Sequence, residues 1–189
     1  MYKNIKIFNN NISKAPLLWR GVGVRFFAFY LLAFSFFSLT ACSPNPNLQG
    51  RGENYLQGEW KQDSVPKQKQ LLSYSLYQFK FTCDSVYMEL NEYSKVNTGM
   101  DSCMLGGHWK EYIRGTYSQR NDTLHIRGNF CNADYSLKPQ KGCFRSGPYE
   151  EFFKVSNKAD STVQFLSSSD VIPINLHLIK RTSCTPKPL

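Results

Sequence analysis

The 189-residue chain has no Cys-x-x-Cys pair, no histidine at ligand spacing from a cysteine, no Gly-x-Ser-x-Gly elbow and no apolar run that reaches bilayer length. Each absence removes a class of protein. Structural zinc and iron–sulfur sites need clustered thiolates or imidazoles, so no metal and no cofactor is expected. Serine hydrolase chemistry needs a nucleophile with a positioned base and an orienting acid. The three histidines are poor candidates for that base. His125 lies between Leu124 and Ile126, His177 between Leu176 and Leu178, and His108 follows the Gly106-Gly107 turn. None has a recognisable partner beside it, and all three read as surface or hydrogen-bonded side chains. Glu150-Glu151 is the one adjacent carboxylate pair that invites a glycosidase reading. Neighbouring residues on a strand point to opposite faces, however, so the two cannot flank one bond, and they read as a solvated pair opening a strand.

Acid is also missing from residues 1–25, which carry Lys3, Lys6, Lys14, Arg20 and Arg25. Phe26 to Leu39 then forms an uncharged apolar block of 14 residues. A basic segment before a short apolar one is the layout of an export signal, and 14 residues fall short of the ~20 that a permanent span needs. Leu39-Thr40-Ala41-Cys42 closes the block and resembles a bacterial lipobox, at which the Cys is acylated and the preceding peptide removed. That resemblance implies a signal peptide over 1–41, lipid attachment at Cys42, and membrane anchorage through N-terminal acyl chains. Several chains together give a stable anchor where one is marginal. Within the leader, Lys14 to Arg25 is similar to peptide translated from repeat DNA of Bacteroidetes genomes, which moves the expected initiation site downstream and leaves the mature chain unchanged. Ser43 after the anchor, and no acidic run beyond it, resemble the signals that sort lipoproteins to the outer membrane facing the periplasm.

Removal of the leader leaves 148 residues with 18 basic and 14 acidic side chains, a formal charge of +4 instead of +9. That length supports one domain. No Lys/Arg cluster remains to track a phosphate backbone, so nucleic acid is excluded as a partner. Ser43 to Glu53, rich in Pro, Asn and Gly, reads as a flexible tether (42–53 with the anchor), and residues 54–189 as the domain. Five cysteines remain: Cys83, Cys103, Cys131, Cys143 and Cys184. Disulfides are expected in an exported chain. The expectation is Cys83 with Cys103, which bracket one strand and its loop, and Cys143 with Cys184, leaving Cys131 unpaired.

From Asn54 onward the pattern is one of period two. Tyr77, Phe79, Phe81 and Cys83 alternate with Gln78, Lys80 and Thr82; Val86, Met88 and Leu90 alternate with Tyr87, Glu89 and Asn91. These make a hairpin. A second runs from Tyr112–Arg120 through Asn121-Asp122 to Thr123–Arg127, the turn pair being tolerant of positive φ. Residues 152–156, 162–167 and 174–181 supply further strands, and Lys67 to Ser73 alone reads as a short helix. Eight or nine strands with almost no helix predict an all-β antiparallel barrel or sandwich.

Gly58-Glu59-Trp60, the Gly115-Thr116-Tyr117 to Thr123-Leu124 hairpin and the closing Leu176–Arg181 strand resemble the small lipocalin-like barrels of bacterial lipoproteins. Asn54–Gly58, Phe79–Ser85 and the tail Cys184–Leu189 are also similar to Bacteroidetes lipoproteins, some of which bear the name fumarate hydratase. The residues speak against that activity. The cluster-free class of that enzyme implies a large helical chain with a flexible Gly-Ser-Ser loop, and the iron–sulfur class implies three cluster cysteines in a reducing compartment.

Eighteen aromatic residues remain beyond the leader. Either they fill a small barrel, whose lumen at eight strands just accommodates side chains, or some line a cup for a small apolar ligand. Trp60, Trp109, Tyr112 and Tyr117 are the candidate lining. The expected function is a membrane-anchored binding or interaction module, its partner a small apolar ligand or an envelope protein.

Overall fold

The computed structural model describes residues 48–96, 103, 106–139 and 143–188, all within one compact unit, Pro46–Leu189. The expected signal peptide and Cys42 lie outside the described residues. Among the latter, no helix is long and apolar enough to cross a membrane.

Eight antiparallel strands close into a ring in chain order: β1 (Gly58–Lys61), β2 (Ser73–Thr82), β3 (Ser85–Ser94), β4 (His108–Arg120), β5 (Thr123–Cys131), β6 (Pro148–Ser156), β7 (Thr162–Ser167) and β8 (Ile174–Arg181). The predicted alternation is the cause. Phe79 and Phe81 on β2, and Val86, Met88 and Leu90 on β3, turn inward and are buried, while Lys80 between the two phenylalanines is exposed. Burial of each such side chain stabilises the fold by roughly 1.5–3 kcal/mol. The β4–β5 turn puts Asn121 at φ 58°, as the Asn-Asp pair predicts. Gly115 and Gly128 face each other across β4 and β5; a Cβ on Gly115 would come within 2.1 Å of the Arg127 carbonyl, so the two strands approach as only glycines permit.

Three expectations are corrected. The Lys67–Ser73 helix shrinks to a single 3-10 turn over Gln68–Gln70. Pro66 precedes it and Lys67 is left-handed at φ 55°, so no regular helix starts there. Cys83 does not end the strand; it occupies the β2–β3 turn at φ 57°. Consequently the disulfides are exchanged relative to the expectation: Cys83 bonds Cys184 and Cys103 bonds Cys143. Ring closure explains the first bond. β2 and β8 both flank β1, so the end of β2 and the residues after β8 meet although they are 101 positions apart. Cys131 is buried and unpaired, and its thiol is pushed up by that burial.

The described part of the expected tether is docked. Leu48 bridges Pro188, Gln49 Nε2 donates to the Thr82 carbonyl at 3.1 Å and to Ser85 Oγ at 2.7 Å, and the Gly50 N–H donates to Asp84 at 2.8 Å. Gly52 (φ 62°) presses so close to Cys83 that a Cβ would meet its carbonyl at 2.0 Å. Composition alone hides these contacts, because the polar groups of residues 48–53 are the ones that bond the barrel.

Candidate functional site

The lumen is where a small barrel holds a ligand, and four expected lining residues report on it. Trp60 is buried in β1 with its indole N–H donating to the Leu56 carbonyl at 2.7 Å. Tyr117 is buried lower down; its hydroxyl accepts from the Glu53 N–H at 3.0 Å and from Gln57 Nε2 at 2.9 Å. Gln57, 3% exposed, also donates to the Cys83 carbonyl and accepts the Cys83 N–H at 2.7 Å, so it seals that end of the barrel. Tyr112 is outside. Ile113 and Tyr117 point inward from β4, so the even-numbered Tyr112 points out, where its ring meets Tyr135 edge-on at 5.9 Å. Trp109 points inward at the far end and stacks on Phe144 at 4.9 Å, its indole N–H without a partner among the described residues. The structure therefore places the four at different levels and on both faces.

Between floor and far end the lumen is occupied by rings. Phe79 on β2 touches Phe153 on β6, the strand diametrically opposite, edge to face at 6.2 Å. Phe165 on β7 meets Phe79 at 5.5 Å, Phe153 at 5.8 Å and Phe81 at 6.5 Å. Phe79, Phe81, Phe153 and Phe165 are each at most 2% exposed. Side chains from opposite walls in contact leave no axial channel at this level.

Above the rings lies an ionic cluster that periodicity could not reveal, since its members are up to 53 positions apart. Glu111 on β4 is 4% exposed and accepts from the Arg145 backbone N–H at 2.9 Å, from Arg145 Nε at 2.7 Å and from a terminal amine of the same guanidinium. That guanidinium also reaches Glu92 on β3 at 2.8 Å and covers the Phe130 ring at 5.0 Å. Burial pushes the Glu92 carboxyl above its ordinary range, against hydrogen bonds from Ser75 and Arg145 that favour the ion. Burial likewise pushes Tyr77 up to about 12 and raises Tyr149 further. Glu151, which also points inward, is held below the usual carboxylate range; hydrogen bonds from Ser168, Ser169 and Ser167 outweigh its desolvation. Arg145 belongs to the β5–β6 loop, which the Cys103–Cys143 bond and the Phe144–Trp109 stack also tie down. The cluster thus pins a loop over the mouth.

Among the described residues the three histidines lie apart, each with a different neighbour. His125 pairs with Glu150 at 2.8 Å and stacks on Phe152, His177 reaches Asp63 at 3.2 Å, and His108 stacks on Tyr93. Among the described residues no three His, Cys, Asp or Glu side chains are grouped to hold a metal.

The fold and its packed interior define an eight-stranded up-and-down β-barrel with a filled lumen and a capped mouth. No protein-family model, no curated protein and no solved structure matches the chain.

Proposed function

We propose that this protein is an exported lipoprotein, anchored at Cys42 to the outer membrane and facing the periplasm, whose barrel is a rigid binding module that works through its outer surface. One observation carries the choice of surface over interior: phenyl rings from opposite walls touch across the lumen. A carrier of a small apolar ligand needs that volume free. The two disulfides support the exported setting, because such bonds persist in oxidising compartments. The basic segment, apolar block and lipobox-like Leu39–Cys42 support the anchor.

Native mass spectrometry on residues 43–189, exported without lipid and purified gently, tests the module. The expected result is the bare polypeptide mass. A reproducible extra mass that vanishes on denaturation overturns the filled-lumen reading and makes an internal ligand the function. The anchor has its own test: in a bacterial host fed an alkyne-tagged fatty acid, the full chain should be labelled and Cys42→Ala should not.

A further inference from the structure

Of the clefts among the described residues, two in the outer wall differ in chemistry. One, of about 320 Å³, has Lys61 and Lys110 facing Asp63 and Glu89, and Lys110 already pairs with Glu89 at 2.5 Å. Its two bases and two acids balance in number, Asp63 pairing with His177 at 3.2 Å. The second, of about 470 Å³, is bounded by the outward face of β2 and β3, by Tyr135, and by the C-terminal segment Ser183–Lys187; the Cys83–Cys184 disulfide forms part of its lining.

Both charged residues lining this larger cleft, Lys80 and Lys187, are basic. Glu59 lies beside Lys80 at 3.1 Å, and no acid among the described residues bonds Lys187. Tyr87 and Tyr135 stand edge to face at 5.0 Å in the wall, and the Arg114 guanidinium lies 5.9 Å from the Tyr87 ring centre. The hydroxyls of Thr82, Tyr87, Tyr135, Ser183 and Thr185 bond no other described protein group, although neighbouring Gln49 is fully engaged with Thr82 and Ser85 through its amide nitrogen. Aromatic faces, unspent hydroxyls and ammonium groups together suit a ligand with C–H faces, many hydroxyls and a negative charge.

We propose that this cleft binds an acidic saccharide, the sugar ring lying against Tyr87 and Tyr135 and its anionic group held between Lys187 and Lys80. The proposal deepens and rests on the surface-binding reading above. It also makes the site conditional on the disulfide, since Cys184 holds the segment that supplies Ser183, Thr185 and Lys187.

The test is calorimetric titration of the full lipid-bearing chain in detergent micelles, with a galacturonic acid trisaccharide as probe and maltotriose as its neutral counterpart. The acidic sugar should bind at least about tenfold more tightly than the neutral one. Lys187→Ala, an exposed change outside every strand, should weaken it about fivefold and Tyr87→Ala about tenfold, while Lys154→Ala on β6 leaves it unchanged. Cys184→Ser should abolish binding, with a β-type circular dichroism spectrum showing that the barrel persists. Equal affinity for both sugars, or an unaltered affinity in Lys187→Ala, overturns the proposal; so does absence of binding. A bare native mass together with absence of saccharide binding overturns the cleft alone and leaves the surface-binding reading in place.

Discussion

Phe152 and Phe153 are neighbours in sequence with opposite surroundings, which makes them a sharp test of the packed lumen. Phe153 is 1% exposed and touches Phe79 and Phe165, whereas Phe152 is 44% exposed and stacks only on His125. Truncating a buried phenylalanine removes its transfer free energy and leaves a cavity that a rigid ring of strands cannot close, together about 3–5 kcal/mol. For a domain of this size that lowers the melting midpoint by about 10–15 °C. Phe152→Ala, at a half-exposed position, should cost less than about 1 kcal/mol. Urea unfolding followed by circular dichroism gives both values. The void left by Phe153→Ala, walled by Phe79 and Phe165, is apolar and should stay dry and admit benzene, so added benzene should raise the midpoint of the variant and leave the parent unmoved. A cost below about 1 kcal/mol for Phe153→Ala, or benzene stabilisation of the parent, would refute the filled lumen and the surface-binding function built on it.

Three further outcomes follow from the same geometry. A double-mutant cycle on Arg145→Ala and Glu111→Ala should give a coupling of about 1–2 kcal/mol, the lower end favoured because the Arg145 side chain is 52% exposed; coupling within experimental error would show that Arg145 does not pin the β5–β6 loop. Cys184→Ser opens a cross-link spanning 101 positions and should cost up to about 4.7 kcal/mol by loop entropy, measured as a shift in the urea midpoint under non-reducing conditions. Tyr77, Tyr117 and Tyr135 are each pushed up to about 12 by burial, from an ordinary 10. The folded state therefore keeps protons that the unfolded chain gives up. The resulting stability is fully present below pH 10 and is lost as pH rises towards 12, so the unfolding midpoint should fall across that window, and less steeply in Tyr77→Phe.

Much of the barrel was legible in the chain because its strands are half-buried, which imposes period two on Tyr77–Phe81, Val86–Leu90 and Thr123–Arg127. Parity alone also places Tyr112 outside once Ile113 is taken as core, a signal that its aromatic character obscures. Other features were illegible for a physical reason: they depend on closure. Cys83 meets Cys184 only because the first and last strands are neighbours in a ring, and Gln57 reaches Tyr117 on β4 only because the barrel curls round. Glu111 and Arg145 meet across 34 positions, a separation that leaves no local pattern to read. The Lys67–Ser73 stretch has helix-forming residues, but Pro66 and the left-handed Lys67 leave them one turn. Residues 48–53 have a linker's composition, and their backbone and amide groups are nevertheless spent on the barrel.

The Cys83–Cys184 bond has a mechanical meaning. A barrel made by rolling a sheet has one seam, here β1 against β8, only four residues long on the β1 side and irregular between Glu59 and Trp60. The sulfurs join the strands on either side of β1, so the sheet is hooped like a cask. Breaking the seam hydrogen bonds cannot unroll it, and the raw strand edges through which opened sheets pair with other chains stay hidden. A hooped barrel therefore resists the edge-to-edge association that a bare one would invite.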